Sequence, residues 1–487
     1  MTKNNSDTFL RSATDAEVQR VLAATLRQDL PSFTEKCFYT VSPADQFRRN
    51  WHHEVVAHHL SLCRSGQIKR LIITLPPRYL KSIMTSVAFP AWLLGHDPRQ
   101  KIVCVSYSQD LAAKHARDCR SVMESRWYLD LFPGTRLDAA KNAEAEFMTS
   151  ERGFRLATST GGTLTGRGGN IIIIDDPLKP QDALSDIRRE GANQWFDNTL
   201  YSRLDNKHEG VIIIVTQRLH LEDLVGHVLK QEDWVHVSMP AIAEVEQTYQ
   251  LSNGEQFARP VGHVLHPDHE PLEILERNKE ALGSYQFSAQ YQQNPLPEGG
   301  AMIQWDWFRT YDEPPQRTLC DIYLHSWDTA SKGSELNNYS VCTAWLFKKR
   351  DHGADFYLVD VERQRLDYPA LKKRIIEKYE QERPNRVIIE DTSSGICVLQ
   401  DLQGLGIPLL AFRPEGDKKM RMHAQSAKIE GGLVYIPERA PWLNDFKTEV
   451  LQFPVGRYDD QVDSLSQALG WFDKRNAKSF RVRTFQI

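Results

Sequence analysis

The sequence predicts an α/β protein of two domains, the first built on a parallel sheet covered on both faces. Three observations predict it. The chain has 487 residues, the length of two ordinary domains. Its first half alternates short, wholly apolar runs (LIIT, KIVCV, NIIII, GVIIIV) with stretches of helical periodicity. A strand that is apolar at every position is buried on both sides, as in a parallel α/β sheet. Beyond YQQNPLPEGG (291–300), rich in Pro, Gly and Gln, the order changes to strand, strand, strand, helix, strand.

Composition narrows the class further. Hydrophobic residues are 41% and charged residues 25% of the chain, as in an ordinary globular protein. No apolar stretch reaches the roughly 18 residues of a membrane span. The opening MTKNNSDTFLRSATDAE has no apolar signal-peptide core. Seven dispersed cysteines with no C-x-x-C pair predict reduced thiols in a cytoplasm. A net charge of -4 excludes a uniformly basic chain but leaves room for a local basic groove.

In chain order, residues 1–50 read as a polar, helical N-terminal arm. WHHEVVAHHLSLCRSG (51–66) is a helix stopped at Gly66, and IKRLIITLPP is a strand broken by Pro76 and Pro77. A helix is expected from Ser82 to Leu94, closed by Gly95. KIVCVSYS (101–108) is a strand and DLAAKHARDCRSVMESR an amphipathic helix. NIIIIDDP (170–177) and GVIIIVTQR (210–218) are strands. This first domain is placed at 51–290 and a linker at 291–317. In the second domain, 318–474, DIYLHSWDTAS and VCTAWLFKK read as hairpin partners and DFYLVDVER as a third strand. A helix follows near 369–382, then NRVIIEDTSSG as a fourth strand and a helix in DDQVDSLSQALGWF. Residues 475–487 form a basic tail, with Lys478, Arg481 and Arg483. It is either a DNA- or partner-contacting segment or a solubilising end. His52, His53, His58 and His59 lack companion cysteines and point several ways on a helix, so they are not read as a metal site.

LPPRYLKS (75–82) sits between a strand and a helix and ends in Lys-Ser, the place and ending of a phosphate-binding loop. Leu75 and Leu80 stand where such a loop carries glycines. The chemistry needs a cation, a metal-directed hydroxyl and amides at a helix N-terminus. Lys81 offers the first and Ser82 the second, Arg78 adds charge, and Pro76-Pro77 are expected to force the turn. Asp175 at the end of the isoleucine strand is a candidate magnesium ligand. Asp176 is a candidate for polarising the attacking water, a place more often held by Glu. Thr216 and Gln217 end an inner strand where they can sense a γ-phosphate. Arg167 in the glycine-rich GGTLTGRGGN suits an arginine finger.

The second half carries acids at element ends: Asp328, then Glu390 and Asp391, then Asp459, Asp460 and Asp463. Strands with acids on the first and fourth, and more on a late helix, are the RNase H-like layout. Carboxylates gathered this closely call for divalent cations. Alternation lets only one of Glu390 and Asp391 face such ions, and Glu390 directly ends the apolar run. Asp459 and Asp460 also suit helix caps.

LPPRYLKS, SYSQDLA, GGTLTGRG, IIIIDDP, VTQRLH, WDTA, VIIEDTSSG and DDQVDSL, in this order, resemble the large terminase subunit of tailed double-stranded DNA bacteriophages and prophages. The resemblance covers roughly residues 50–473. It implies an N-terminal ASCE-type RecA-like P-loop ATPase with a parallel sheet and a C-terminal RNase H-like nuclease. Together these pump DNA into a procapsid and cut the concatemer. It puts Pro77, Arg78, Lys81 and Ser82 on the ATP loop, Asp175 and Asp176 on the acid strand, and Thr216 and Gln217 on the coupling motif. Arg167 falls near a trans-acting arginine. Asp328, Glu390 or Asp391, and Asp460 or Asp463 fall on the nuclease acids, with Asp459 a further candidate ligand. It implies ATP with Mg2+ at one site and two divalent ions, Mg2+ or Mn2+, at the other. Its implied partners are double-stranded DNA, a portal protein, a small terminase subunit and further copies in a pentameric ring. The implied location is the cytoplasm of the bacterial host, outside the mature virion. A helicase or repair ATPase fused to a nuclease, and an inactive prophage remnant acting as scaffold, are the competing readings.

Overall fold

The computed structural model describes residues 15–162, 164, 166–231, 233–296, 302–329, 339–350, 353–391, 393–454, 456 and 458–483. The last residues of the basic tail and part of the glycine-rich loop around Arg167 lie outside this description. The chain divides into two units, Met1–Asn278 with Gln286–Pro295, and Lys279–Tyr285 with Leu296–Ile487.

The first unit is built on an eight-stranded sheet. Its strands are β1 (Arg70–Thr74), β2 (Lys101–Ser106), β3 (Leu137–Asn142), β4 (Glu146–Thr149), β5 (Phe154–Ser159), β6 (Ile171–Asp175), β7 (Val211–Thr216) and β8 (Val235–Ser238). They lie in the order β3-β4-β5-β2-β6-β7-β1-β8. The six strands from β5 to β8 in that order are parallel. Period-two alternation sends each apolar run into two cores. Leu71, Ile73, Ile102, Ile171, Ile173, Ile213 and Val215 face one; Ile72, Val103, Val105, Ile172, Ile174, Ile212 and Ile214 face the other.

The expectation of a purely parallel sheet is corrected at one edge, where β3 and β4 run antiparallel. LDAAKN and EFMT carry no apolar run, because an edge strand with one wet face does not need one. Within helix Leu30–Val41, Phe33 and Cys37 are fully buried, so this segment is part of the first unit's core. The helix after Ser82 begins as a π-helical turn, Ile83–Ala88, and becomes α-helical over Phe89–His96. Gly95 therefore lies inside its last turn and does not close it. Between β8 and the helix Leu272–Gln290, β9 (Gln247–Gln250) and β10 (Gln256–Arg259) form a small hairpin.

The second unit holds a seven-stranded mixed sheet. Its strands are β11 (Arg309–Tyr311), β12 (Ile322–Asp328), β13 (Ser340–Lys349), β14 (Ala354–Gln364), β15 (Arg386–Glu390), β16 (Leu409–Phe412) and β17 (Val434–Pro437). Their order is β11-β17-β14-β13-β12-β15-β16. β12, β13 and β14 form an antiparallel meander, and β15 joins β12 in parallel. Helix Tyr368–Glu382, capped by the Asp367 side chain on the Ala370 amide, makes that crossover and covers one face with Leu371 and Ile375. Helix Asp460–Arg483 covers the other face with Val462, Leu465, Ala468 and Leu469. Burying a leucine such as Leu465 contributes about 1.5–3 kcal/mol.

Candidate functional site

In the first unit, β7 lies between β1 and β6, so the loop after β1 and the acids ending β6 flank one inserted strand. The turn after β1 is not made by the prolines alone. Arg78 and Leu80 both adopt the left-handed conformation, φ 70° and 61°. The loop thus keeps a glycine-type backbone without glycine, at about 1 kcal/mol or more per residue. Tyr79 between them is the anchor. Its ring is buried 5.7 Å from the His52 ring and 5.3 Å from that of His269. Arg78 is exposed, and Pro77 and Leu80 are half-buried. Beside this loop lies a cleft of 370 Å3, lined by Phe38, Gln46, Arg48, Tyr79 and His269 among others.

The π-helical turn brings two hydroxyls onto Asp175. Ser82 Oγ donates to Oδ1 at 3.1 Å and Ser86 Oγ to Oδ2 at 2.8 Å. His115 Nδ1 is 3.5 Å from Oδ2. Burial pushes the Asp175 carboxyl up to about 7; the Asp176 charge adds to this, and Ser86, Lys81 and Ser82 oppose it. Asp176 turns the chain at φ 48°. Its Oδ1 lies 3.2 Å from Lys81 Nζ and accepts from Thr216 Oγ1 at 3.0 Å. Lys81, Ser82, Asp175, Asp176 and Thr216 therefore meet at one point. Gln217 is buried beside them, and its Oε1 has no hydrogen-bond partner among the described residues. Arg167 is apart from this group and forms an ion pair with Glu146 on β4. The donors fit a hydrated magnesium ion: an oxygen-only set of one buried carboxylate and a serine hydroxyl.

Sequence reasoning missed Ser86 and His115. Ser86 is legible only as one helical turn beyond Ser82. It also missed the buried bridge from Arg218 Nε to Asp223, 2.9 Å, which stiffens the chain directly after Gln217.

The second cluster lies at one end of the mixed sheet. Asp328 ends β12, and the parallel register Trp327↔Ile389 sets Glu390 beside it. Asp460 and Asp463 come from the first turn of the late helix. A buried polar seam fixes that helix. Ser464 Oγ donates to Ser326 O at 2.7 Å, Ser326 Oγ donates to Ser464 O at 2.8 Å, and the Thr343 and Ser464 hydroxyls pair at 2.7 Å. Gln467 Nε2 also reaches the Trp327 carbonyl at 3.3 Å.

These acids strain one another. Burial raises Asp328 well above the usual carboxylate range, and Asp463, Glu390 and Asp460 raise it further. Burial also raises Glu390, and pushes Asp460 up to about 6 with help from Glu449 and Asp459. Asp391 faces away, bound to Arg413 Nε at 2.8 Å. Asp459 binds Lys418 Nζ at 2.6 Å. Among the described residues no three His, Cys, Asp or Glu converge closely enough to hold an ion as they stand. Lys418 and Arg421 stand among them, each 2.7 Å from an Asp463 oxygen. The set remains hard, oxygen-only and electrostatically unsatisfied, which suits Mg2+ or Mn2+.

Residues 325–470, which contain every one of these acids, match the family described as the terminase RNaseH-like domain. The second unit is thus similar to a terminase RNaseH-like domain. The fold of the chain is similar to that of a solved large terminase. It superposes with TM-score 0.53 on the large terminase of a thermophilic bacteriophage, at 12% identity, covering 87% of this chain and 98% of that one. The large terminase of bacteriophage HK97 matches at TM-score 0.36 and 11% identity, over 91% of this chain and 99% of that one. No curated protein matches the chain. Within the RNaseH-like domain, Lys418, Arg421 and the Ser326–Ser464 seam were not legible. The contacts of Lys418 and Arg421 are with acids about forty residues away, and serine patterns do not announce a buried interface.

Proposed function

We propose that the chain is a DNA-packaging motor subunit: ATP hydrolysis in the first unit drives double-stranded DNA into a procapsid, and the second unit cuts concatemeric DNA. The observation that carries this is the pairing, in one chain, of the Lys81–Asp176 and Ser82–Asp175 contacts with the Asp328–Glu390–Asp463 group in a terminase RNaseH-like domain. A fold shared with the large terminase of a thermophilic bacteriophage supports the same reading.

In this reading Lys81 leaves Asp176 to pair with the β- and γ-phosphates of ATP, and the freed Asp176 orients the attacking water. Ser82 and Asp175 would hold Mg2+. Thr216 and the Gln217 side chain sense the γ-phosphate. The cleft lined by Phe38, Gln46 and Tyr79 takes the base. Arg167, on a surface loop, reaches a neighbouring copy in a ring assembled on a portal, with a small subunit delivering DNA in the host cytoplasm. In the second unit Asp328, Glu390, Asp460 and Asp463 would hold two divalent ions. Such ions supply an activated water and charge neutralisation at the leaving oxygen. Asp391 and Asp459 lie outside that set. A helicase would need a second parallel motor sheet, whereas the second unit has a mixed sheet around an acid cluster.

The test is a crossed pair of variants. Lys81→Ala should remove DNA-stimulated ATP hydrolysis and leave Mn2+-dependent DNA cleavage; Asp328→Ala should do the reverse. Loss of both activities from either folded variant contradicts the proposal.

A further inference from the structure

Helix Lys418–Glu430 begins with cations in its first turn, although a helix N-terminus carries positive partial charge and favours anions there. The start is held by Asp417, whose side chain accepts from the Met420 amide. Lys418 and Arg421 are three apart and so share a face. What holds them is the acid cluster. Lys418 Nζ is 2.6 Å from Asp459 and 2.7 Å from Asp463, and Arg421 Nη2 is 2.7 Å from Asp463. The Asp463 side chain is buried and that of Arg421 mostly so, whereas Lys418 reaches Asp463 from a half-exposed position at the rim. Arg363, the other cation near Asp460, is engaged with Glu449 at 3.4 Å.

We infer that Lys418 and Arg421 are resident counter-ions of the carboxylate cluster, which divalent metal displaces and which then grip the phosphate of the strand to be cut. The inference rests on the nuclease reading above. The charge count favours it. Five carboxylates, Asp328, Glu390, Asp459, Asp460 and Asp463, face these two cations. With all five ionised, two divalent ions held by Asp328, Glu390, Asp460 and Asp463 leave a small positive excess over these carboxylates and the two cations, which one phosphate balances. An ammonium beside a divalent ion is repelled, and the flexible stem of Lys418 lets it swing outward while its backbone stays at the rim. The lysine remains protonated throughout, so no bond or electron is exchanged.

The experiment is Mn2+ titration calorimetry of the full-length protein without DNA, with DNA cleavage measured on the same samples. For Lys418→Met the expected result is Mn2+ binding about tenfold tighter than wild type, the scale of a close charge contact. The KM for DNA should rise about tenfold. A merely structural lysine would leave Mn2+ binding unchanged or weaken it. Lys418→Arg keeps the cation and should bind Mn2+ as wild type does; Lys418→Gln serves if the Met variant does not fold. Unchanged or weaker Mn2+ binding by a folded, neutral variant overturns the inference while leaving the nuclease reading intact. Wild-type protein that neither binds Mn2+ nor cuts DNA overturns both.

Discussion

Arg78 and Leu80 keep the loop after β1 bent in a conformation that glycine usually takes, and the load falls on Tyr79. Truncating a buried aromatic costs about 3–5 kcal/mol, so Tyr79→Ala should lower the stability of the first unit by that amount in denaturant unfolding and release the loop. Leu80→Gly sits at φ 61°. It removes left-handed strain but frees the unfolded chain, so its net effect should stay within about 1 kcal/mol of zero. The residue types Lys81 and Ser82 were legible in the sequence. The backbone angles were not, because φ at a non-glycine residue is fixed by the burial of its neighbour. Asp175 shows the opposite tension. Its carboxyl is raised to about 7 by burial, so the folded state holds the proton more tightly than the unfolded chain. That contribution is full at acid pH and is lost as pH rises from the ordinary carboxylate range through about 7. In nucleotide-free protein Asp175→Asn should therefore raise Tm relative to wild type at pH 8, with the gap closing by pH 4, while ATP hydrolysis disappears.

At the scale of elements, the late helix of the second unit carries both apolar and polar obligations. The sequence predicts a helix in DDQVDSLSQALGWF but not which side is buried. The structure buries Val462, Leu465 and Leu469 and sets Ser464 against Ser326 and Thr343. Ser464→Ala leaves those groups without a partner, at a cost of about 1–3 kcal/mol. It should also weaken Mn2+ binding, because Asp463 is the adjacent residue. In the first unit, His52 and His53 of helix Trp51–Arg64 pack against His266, with ring centroids 5.4 and 6.1 Å away. The sequence placed His52 and His53 with His58 and His59 by adjacency alone; their neighbours in the fold include Phe47, Tyr79 and His266. Burial lowers His53 to about 3 and His266 to about 4, and the facing imidazoles add to both. The folded state thus binds fewer protons than the unfolded chain below pH 6.5. The stability these rings contribute is full above that pH and is lost as pH falls toward 4. His53→Gln should flatten the fall of Tm between pH 6.5 and pH 4.5.

Across the whole molecule, the readable parts were those with strong local signals: isoleucine runs, strand-ending acids and a Lys-Ser before a helix. The antiparallel edge of the first sheet was not readable, because LDAAKN and EFMT are half-wet strands. The cations Lys418 and Arg421 were not readable either, because their partners lie about forty residues further on. Two chemically distinct sites on one chain remain the central claim. Diffraction from the full-length protein with a non-hydrolysable ATP analogue and Mn2+, using the anomalous signal of manganese, tests it most directly. The account predicts manganese beside Ser82 and Asp175 with Lys81 moved from Asp176 onto phosphate, and manganese among Asp328, Glu390 and Asp463. A nucleotide-free cleft with Lys81 still on Asp176, or no manganese among the second unit's acids, would contradict it.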